Sequence, residues 1–238
     1  MEIKLLHLYY DIMNLYGEYG NLKILERHLI DQGINVTLEK KTIGEDIDFS
    51  NYDFIYIGSG TEKNQMLILE DMKKHASEFK AYINNNGFAL LTGNSYEIVG
   101  QSINDIAALG LLNFKTKILD KRITTDVIYT TSLIHSKVVG FINNMSNIEN
   151  NEVPLFNVDF GVGENSSSKQ EGIRLNNLYG THVIGPLLVR NPEFLKFIIT
   201  ELCTSKDKNF KYKDLEYPDE YESYKLVLSE LEARKEVK

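Results

Sequence analysis

Apolar positions in the N-terminal part of the chain fall into two periods. Ile3–Tyr9 is a compact apolar run and predicts a first strand. The glycine-bearing turn "GEYGN" follows. Leu22, Leu25 and Leu29 then recur at three- and four-residue steps, with Ile30 beside them and Gly33 placed where a helix stops. Val36 and Leu38 mark a second strand. Phe54–Ile57 is apolar at every position, as in a strand covered on both faces. After the loop "GSGTE", a helix is predicted from about Lys63 to Ile83, with Met66, Leu69, Met72, Ala76 and Phe79 on one face. "NNNG" closes it, and Phe88–Thr92 is the next buried strand. This alternation is the α/β signature of a parallel sheet, and right-handed crossovers put the loops after Ile57 and Thr92 at one edge, where such sheets bind ligands.

From about Leu112 the texture changes. "FKTKIL", "RITTDVIYTT" and "KVVGFIN" are rich in Thr, Val, Ile and Tyr and predict antiparallel strands. "ENNEVP" and "GENSSSKQEG" read as loops. "LYGTHVIGPLLV" predicts a late strand returning to the core. Pro192–Leu202 predicts a helix with Phe194, Phe197, Ile198 and Leu202 inward. The polar stretch "TSKDKNFKYKD" leads to a last helix over about Asp219–Lys235.

Composition narrows the function classes. A chain of 238 residues suits one large domain, or a domain with an appendage. The net charge of −8, with no Lys/Arg cluster, argues against a nucleic-acid partner. No apolar run approaches a membrane span and the first residues do not form a signal peptide, so a cytoplasmic protein is expected. The single cysteine, Cys203, excludes an intrachain disulfide and a cysteine-built metal cluster. It falls on a helix with an apolar face, where a buried inert thiol is expected. His7, His28, His75 and His135 show no metal-ligand spacing, and no metal or cofactor is expected. His28 and His75 are expected at solvent-facing or boundary positions. The acid pairs Glu70–Asp71 and Asp219–Glu220 are expected on solvated helix surfaces.

Three stretches carry candidate chemistry. "IGSGTEKNQ" is a strand-to-helix glycine loop, "LLTGNSYEIVGQ" a buried strand turning sharply into a helix, and "EGIRLNNLYGTHVIGPLLVRNPEF" a strand and turn. Together they resemble the oxyanion-side loop, the nucleophile elbow and the histidine-bearing turn of type 1 (class I) glutamine amidotransferases of the cobyric-acid-synthase-like kind. Within that family the glutaminase subunit of lipid II isoglutaminyl synthase is the nearest in pattern, and the likeness spans nearly the whole chain. It implies a flavodoxin-like α/β fold, a partly parallel sheet flanked by helices with an antiparallel extension. Residues 1–205 are expected to form this domain, and 206–238 a polar segment and helix packed on it or on a partner. The tyrosines Tyr212, Tyr217, Tyr221 and Tyr224 make a partner-facing tail one reading of that segment.

The resemblance also implies a reaction. In the family a cysteine thiolate attacks the glutamine amide, a histidine acts as base and then acid, and backbone N–H groups hold the oxyanion. The ammonia passes to a Mur-ligase-like synthetase partner that amidates the D-glutamate of the peptidoglycan stem. The family elbow reads about Gly-x-Cys-x-Gly-x-Gln. Aligned on Tyr96 and Gly100, it puts Gly93 at the nucleophile and Glu97 at the glutamine. The histidine motif, about Gly-Thr-x-x-His-Gly-Pro, here reads Gly180-Thr181-His182-Val183-Ile184-Gly185-Pro186, with Ile184 at the base. Both reacting groups are replaced, and losing one triad member already costs on the order of a million-fold in turnover. A degenerate, non-catalytic subunit is expected. One alternative is chemistry relocated to Ser95 and His182, although a two-residue strand step displaces an imidazole by roughly 6–7 Å. Another is a stand-alone binding or regulatory module. Gly58, Ser59, Gly60, Asn94 and Arg122 are the candidate binding residues for glutamine or another small molecule.

Overall fold

The computed structural model describes residues 1–236. Strands β1 (Glu2–Leu8), β2 (Asn35–Lys41), β3 (Phe54–Ile57) and β4 (Phe88–Thr92) alternate with helices α1 (Gly20–Asp31), α2 (Glu62–Met72) and α3 (Ala76–Asn84). The short strands β5 (Ser102–Ile103) and β6 (Ile106–Ala107) lead into the long pair β7 (Lys115–Thr130) and β8 (Val138–Glu149). Then follow β9 (Phe156–Phe160), β10 (Gln170–Glu171), β11 (Ile173–Leu175), β12 (Leu178–Thr181) and β13 (Val183–Ile184). Helices α4 (Leu187–Arg190), α5 (Pro192–Lys206) and α6 (Pro218–Glu236) complete the chain.

The main sheet has the order β11-β12-β4-β3-β1-β2. All its neighbours pair in parallel except the edge strand β11. Read from β2, the parallel strands follow the flavodoxin order, so the carboxyl ends of β1, β3, β4 and β12 share one edge. Phe54–Ile57 and Phe88–Thr92 are buried at every position, as continuous apolar strands between two layers require. One layer holds Leu22, Leu25 and Leu29 of α1 with Phe194, Ile198 and Leu202 of α5; the other holds Ile68, Leu69, Met72, Phe79 and Ile83 of α2 and α3. The second sheet is the extension, with β7 between β8 and β9, and β13 on β8. β12 belongs to the first sheet and β13 to the second, so His182 is the residue where the chain changes sheets.

Several local expectations change. The predicted Lys63–Ile83 helix breaks at a 3-10 turn over Lys73–His75, a run with no apolar side chain to anchor it. "FKTKIL" and "RITTDVIYTT" are one strand, β7, whose register against β8 shifts between Ile118 and Ile123; the polar residues between them form an irregularity within the strand. Ile30 is 53% exposed and lies off the buried face of α1. His28 is not at a boundary: it is buried, stacked on Tyr217 at 3.9 Å and bonded to Glu220 at 3.1 Å. Asp71 is also buried, accepting a hydrogen bond from the Tyr9 hydroxyl at 3.1 Å.

The C-terminal tyrosines turn inward. Tyr217 donates to Asp31, Tyr221 to Glu193 and Tyr224 to the Lys137 carbonyl, while Lys196 lies over Tyr212. Leu231 of α6 packs with Ile128 and Val139 of the extension. The hydroxyls of Tyr217, Tyr221 and Tyr224 are thus used within this chain. No helix among the described residues is long and apolar enough to cross a membrane.

Candidate functional site

The elbow forms where β4 ends. Residues Gly93–Val99 wind as a tight 3-10 turn, and Gly93 sits in the left-handed region at φ 64°. That conformation favours glycine, and it is the strained geometry an elbow imposes on a side-chain-bearing residue. The space beyond Gly93 is filled. A Cβ there would lie 2.3 Å from Ser59 Oγ and 2.4 Å from Ser59 Cβ. The side chain of the glycine loop after β3 thus occupies the place that a nucleophile on residue 93 would need.

The candidate binding residues line a nearly closed crevice. Ser59, Gly60, Asn94 and Arg122 border it with Gln65, Glu97 and Ser146, and about 10 Å³ is open to the centre of a water-sized sphere. That is roughly room for one water. Several of its donors are committed internally. The Gly60 N–H donates to Asn94 Oδ1 at 3.1 Å, Gln65 Nε2 donates to the Asn94 carbonyl at 2.7 Å, and Arg122 pairs with Glu62 and Asn143 across the mouth. Gly58 does not border the crevice. It faces a polar cluster beneath, where a Cβ would meet the Met13 carbonyl at 2.4 Å and Glu18 Cβ at 3.2 Å.

Glu18 is the centre of that cluster and was not legible in the sequence. It is fully buried, and its carboxyl group accepts from Gly185 N at 2.8 Å, Tyr56 OH at 3.1 Å, Asn21 Nδ2 at 3.3 Å and the Thr92 hydroxyl. Burial raises its pKa against the opposing pull of these bonds. One side chain thereby joins the loop after β1, strand β3, the end of β4 and the turn after Ile184. The only sequence signal was an acid set between Gly17 and Gly20 at a strand-to-helix turn. Ile184 is itself buried, paired opposite Phe141 of β8, and adds apolar packing to the turn.

Ser95 and His182 do not meet. The Ser95 hydroxyl donates to the carbonyls of Ile57 and Thr92 at 3.0 and 2.9 Å, which spends it on the backbone. His182 is fully inside. Its Nε2 lies 2.9 Å from Glu97 and 3.3 Å from Ser146 Oγ; its Nδ1 lies 3.1 Å from Tyr96 OH and 3.5 Å from Glu171. Ser146, His182 and Glu171 have the residue types of a hydrolase triad, which sequence reasoning did not find because they come from β8, the sheet switch and β10. Their electrostatics oppose that chemistry. Burial alone would lower the His182 pKa, but hydrogen bonds to Glu171 and Glu97, with their charges, raise it to about 9. The ring is an imidazolium near neutrality, with both nitrogens donating and no lone pair to take a serine proton. Ser146 donates to Glu97 instead. The cluster is a buried charge lock between the elbow, the extension and β10.

Cys203 is buried, and burial pushes its thiol up to about 12, far from a thiolate at neutral pH. Among the described residues no group of three or more His, Cys, Asp or Glu could hold a metal ion. A roomier cleft of about 630 Å³ lies at the amino ends of β3 and β4, lined by residues including Phe49, Tyr52, Tyr82 and Phe88. It is at the edge opposite the elbow. Of its acids, Asp53 is already paired with Lys206 at 2.7 Å, and no histidine or thiol lines the cleft. The chemistry-bearing edge remains the better candidate despite its smaller opening.

The chain is similar to known amidotransferases. The chain is 26% identical over 239 residues to the GatD subunit of the glutamine-hydrolysing lipid II isoglutaminyl synthase of Staphylococcus aureus, covering 98% of each chain. It is 26% identical over 213 residues to the corresponding subunit of Streptococcus pneumoniae, covering 86% of this chain and 82% of that one. The fold resembles the glutaminase domain of Trypanosoma brucei CTPS, with a TM-score of 0.54 at 9% identity over 91% of this chain and 98% of that one. Residues 4–192 match the model of the CobB/CobQ-like glutamine amidotransferase domain, and the chain belongs to that family.

Proposed function

We propose that this protein is a non-catalytic, GatD-like amidotransferase subunit that binds a Mur-ligase-like synthetase and supports amidation of the peptidoglycan stem D-glutamate in the cytoplasm. Residues 1–205 serve as the amidotransferase-like unit, and 206–238 brace it. The observation that carries the reading is Ser59 in the space beyond Gly93: the framework of the elbow persists while the volume for a nucleophile is taken. The closed crevice and the charge lock around His182 support it, because neither leaves room or a free base for glutamine. Gly93 stands in the nucleophile position and Ile184 in that of the base. Ser59, Gly60, Asn94 and Arg122 are then remnants of a substrate pocket, with Gly60 bonded to Asn94 and Arg122 drawn to Glu62 and Asn143.

The test is ammonia release from glutamine, with and without the synthetase. The unaltered protein is expected to release none. Gly93→Cys with Ile184→His is expected to stay inactive, because Ser59 still blocks the new side chain. Adding Ser59→Gly is expected to give the first measurable turnover. Hydrolysis by the unaltered protein refutes the non-catalytic reading, and failure to co-purify with a Mur-ligase-like synthetase refutes the partner.

A further inference from the structure

A second pocket opens on the same edge of the main sheet, beside β1 and β2 and away from the elbow. His7, Leu38 and Lys40 line it from the strands, Tyr10 and Asn14 from the loop, and Tyr19, Leu22 and Lys23 from the start of α1. Its volume is about 90 Å³. That exceeds the ~15 Å³ a single water needs and falls well short of the roughly 300 Å³ of pockets that enclose whole metabolites. It suits a small ion or one functional group of a larger molecule.

The lining sets hydrogen-bond donors and two lysines among apolar surface from Leu22, Leu38 and the tyrosine rings. His7 is 3% exposed, and its Nε2 is buried without a hydrogen-bond partner. An orphaned buried polar group costs stability, so a native one calls for an explanation such as an absent ligand. Lys40 is the register partner of His7 on the adjacent parallel strand, so the two side chains stand side by side on one face. Lys40 forms no ion pair among the described residues and lies 5.4 Å from the centre of the Tyr10 ring. Lys23 adds a second cation, shared with Glu26 at 2.8 Å. The Asn14 carbonyl oxygen is used by Tyr19 N, while its Nδ2 makes no hydrogen bond among the described residues. No carboxylate borders the pocket. Burial, with Lys40 second, lowers the His7 pKa to about 4, so the ring is neutral at physiological pH and retains one N–H to donate.

We propose that this pocket binds a small oxyanion, free or as the phosphate or carboxylate end of a metabolite, held by His7, Lys40 and Asn14. Donors and positive charge meet there with no carboxylate on the lining, and the ligand would satisfy the buried His7 nitrogen that the fold leaves open. The inference does not depend on the proposed function, since none of these residues belongs to the elbow or the charge lock.

Imidazole nitrogen NMR of the full chain tests it, with inorganic phosphate, glycerol phosphate, acetate and chloride titrated in turn. A saturable shift of the His7 signals is expected at ~1–10 mM phosphate or acetate, with His75 and His135 unmoved. Preference for either phosphate compound identifies a phosphate group, and preference for acetate a carboxylate. Lys40→Met is expected to weaken binding about tenfold by the same signals, and His7→Phe to abolish the stabilisation by phosphate or acetate seen in thermal melts. Lys40 is exposed, so its variant carries the test if His7→Phe does not fold. No saturable shift with any oxyanion, or equal shifts with chloride, overturns the proposal.

Discussion

Two buried histidines stand at the same edge of the main sheet, and the protein treats them in opposite ways. His182 has partners on both ring nitrogens and is held charged. His7 has a buried nitrogen with no partner and is held neutral. Burial disfavours the imidazolium at both sites, so burial does not separate them. The difference is the company: Glu97 and Glu171 at one ring, Lys40 at the other. A ring locked between carboxylates ties elements together and cannot act as a base. An unsatisfied ring beside a free lysine can still receive a ligand.

The sharpest way to break this contrast is to delete each ring. His182→Ala leaves Glu97 and Glu171 buried without their counter-charge and is expected to cost about 3–5 kcal/mol in urea unfolding. A loss of less than about 1 kcal/mol would show that the carboxyl groups are not held by the ring. The next effect is in pH. The His182 pKa is raised from 6.5 to about 9, so its stabilisation is complete below pH 6.5 and is lost as pH rises through about 9. The full change is roughly 3 kcal/mol. Glu164, raised by burial to about 8, weakens the fold in the same direction from a lower starting pH. The difference between the unaltered protein and His182→Gln, followed by calorimetry from pH 6 to about 10, isolates the histidine.

A smaller effect sharpens the account of the elbow. Gly93→Ala places a Cβ at positive φ against Ser59 and is expected to cost about 2 kcal/mol. Ser59→Gly is expected to restore part of that loss, and a double-mutant cycle measures the coupling; purely additive effects would mean that Ser59 does not fill the nucleophile space. Ser95→Ala removes bonds to two carbonyls and is expected to cost about 1 kcal/mol. His7→Phe should be the mildest, under about 1 kcal/mol, since it exchanges an unsatisfied ring for an apolar one of similar volume.

How far the sequence could be read depended on whether a signal was local. The continuous apolar runs Phe54–Ile57 and Phe88–Thr92 placed two central strands at the observed residues, because burial on both faces leaves no room for a polar position. The helix ending at Ile83 was read as unbroken, since its apolar spacing continues across the Lys73–His75 turn. The glycine at the elbow was visible as a residue type, but its left-handed φ and its collision with Ser59 were not. Ser59 and Gly93 are brought together by the pairing of β3 with β4, which no short window contains.

By itself, then, the chain's order of apolar and polar residues determined the layered α/β architecture and the sheet edge at which the glycine loop and the sharp turn after Thr92 stand. These follow from periodicity and residue identity, which are properties of neighbours along the chain. Tertiary structure alone decided that Ser59 fills the space beyond Gly93, that Glu18 joins four segments and that His182 is charged while His7 is not. Each of those depends on which distant side chains share a dry interior, where the balance of burial against partners sets both protonation and packing.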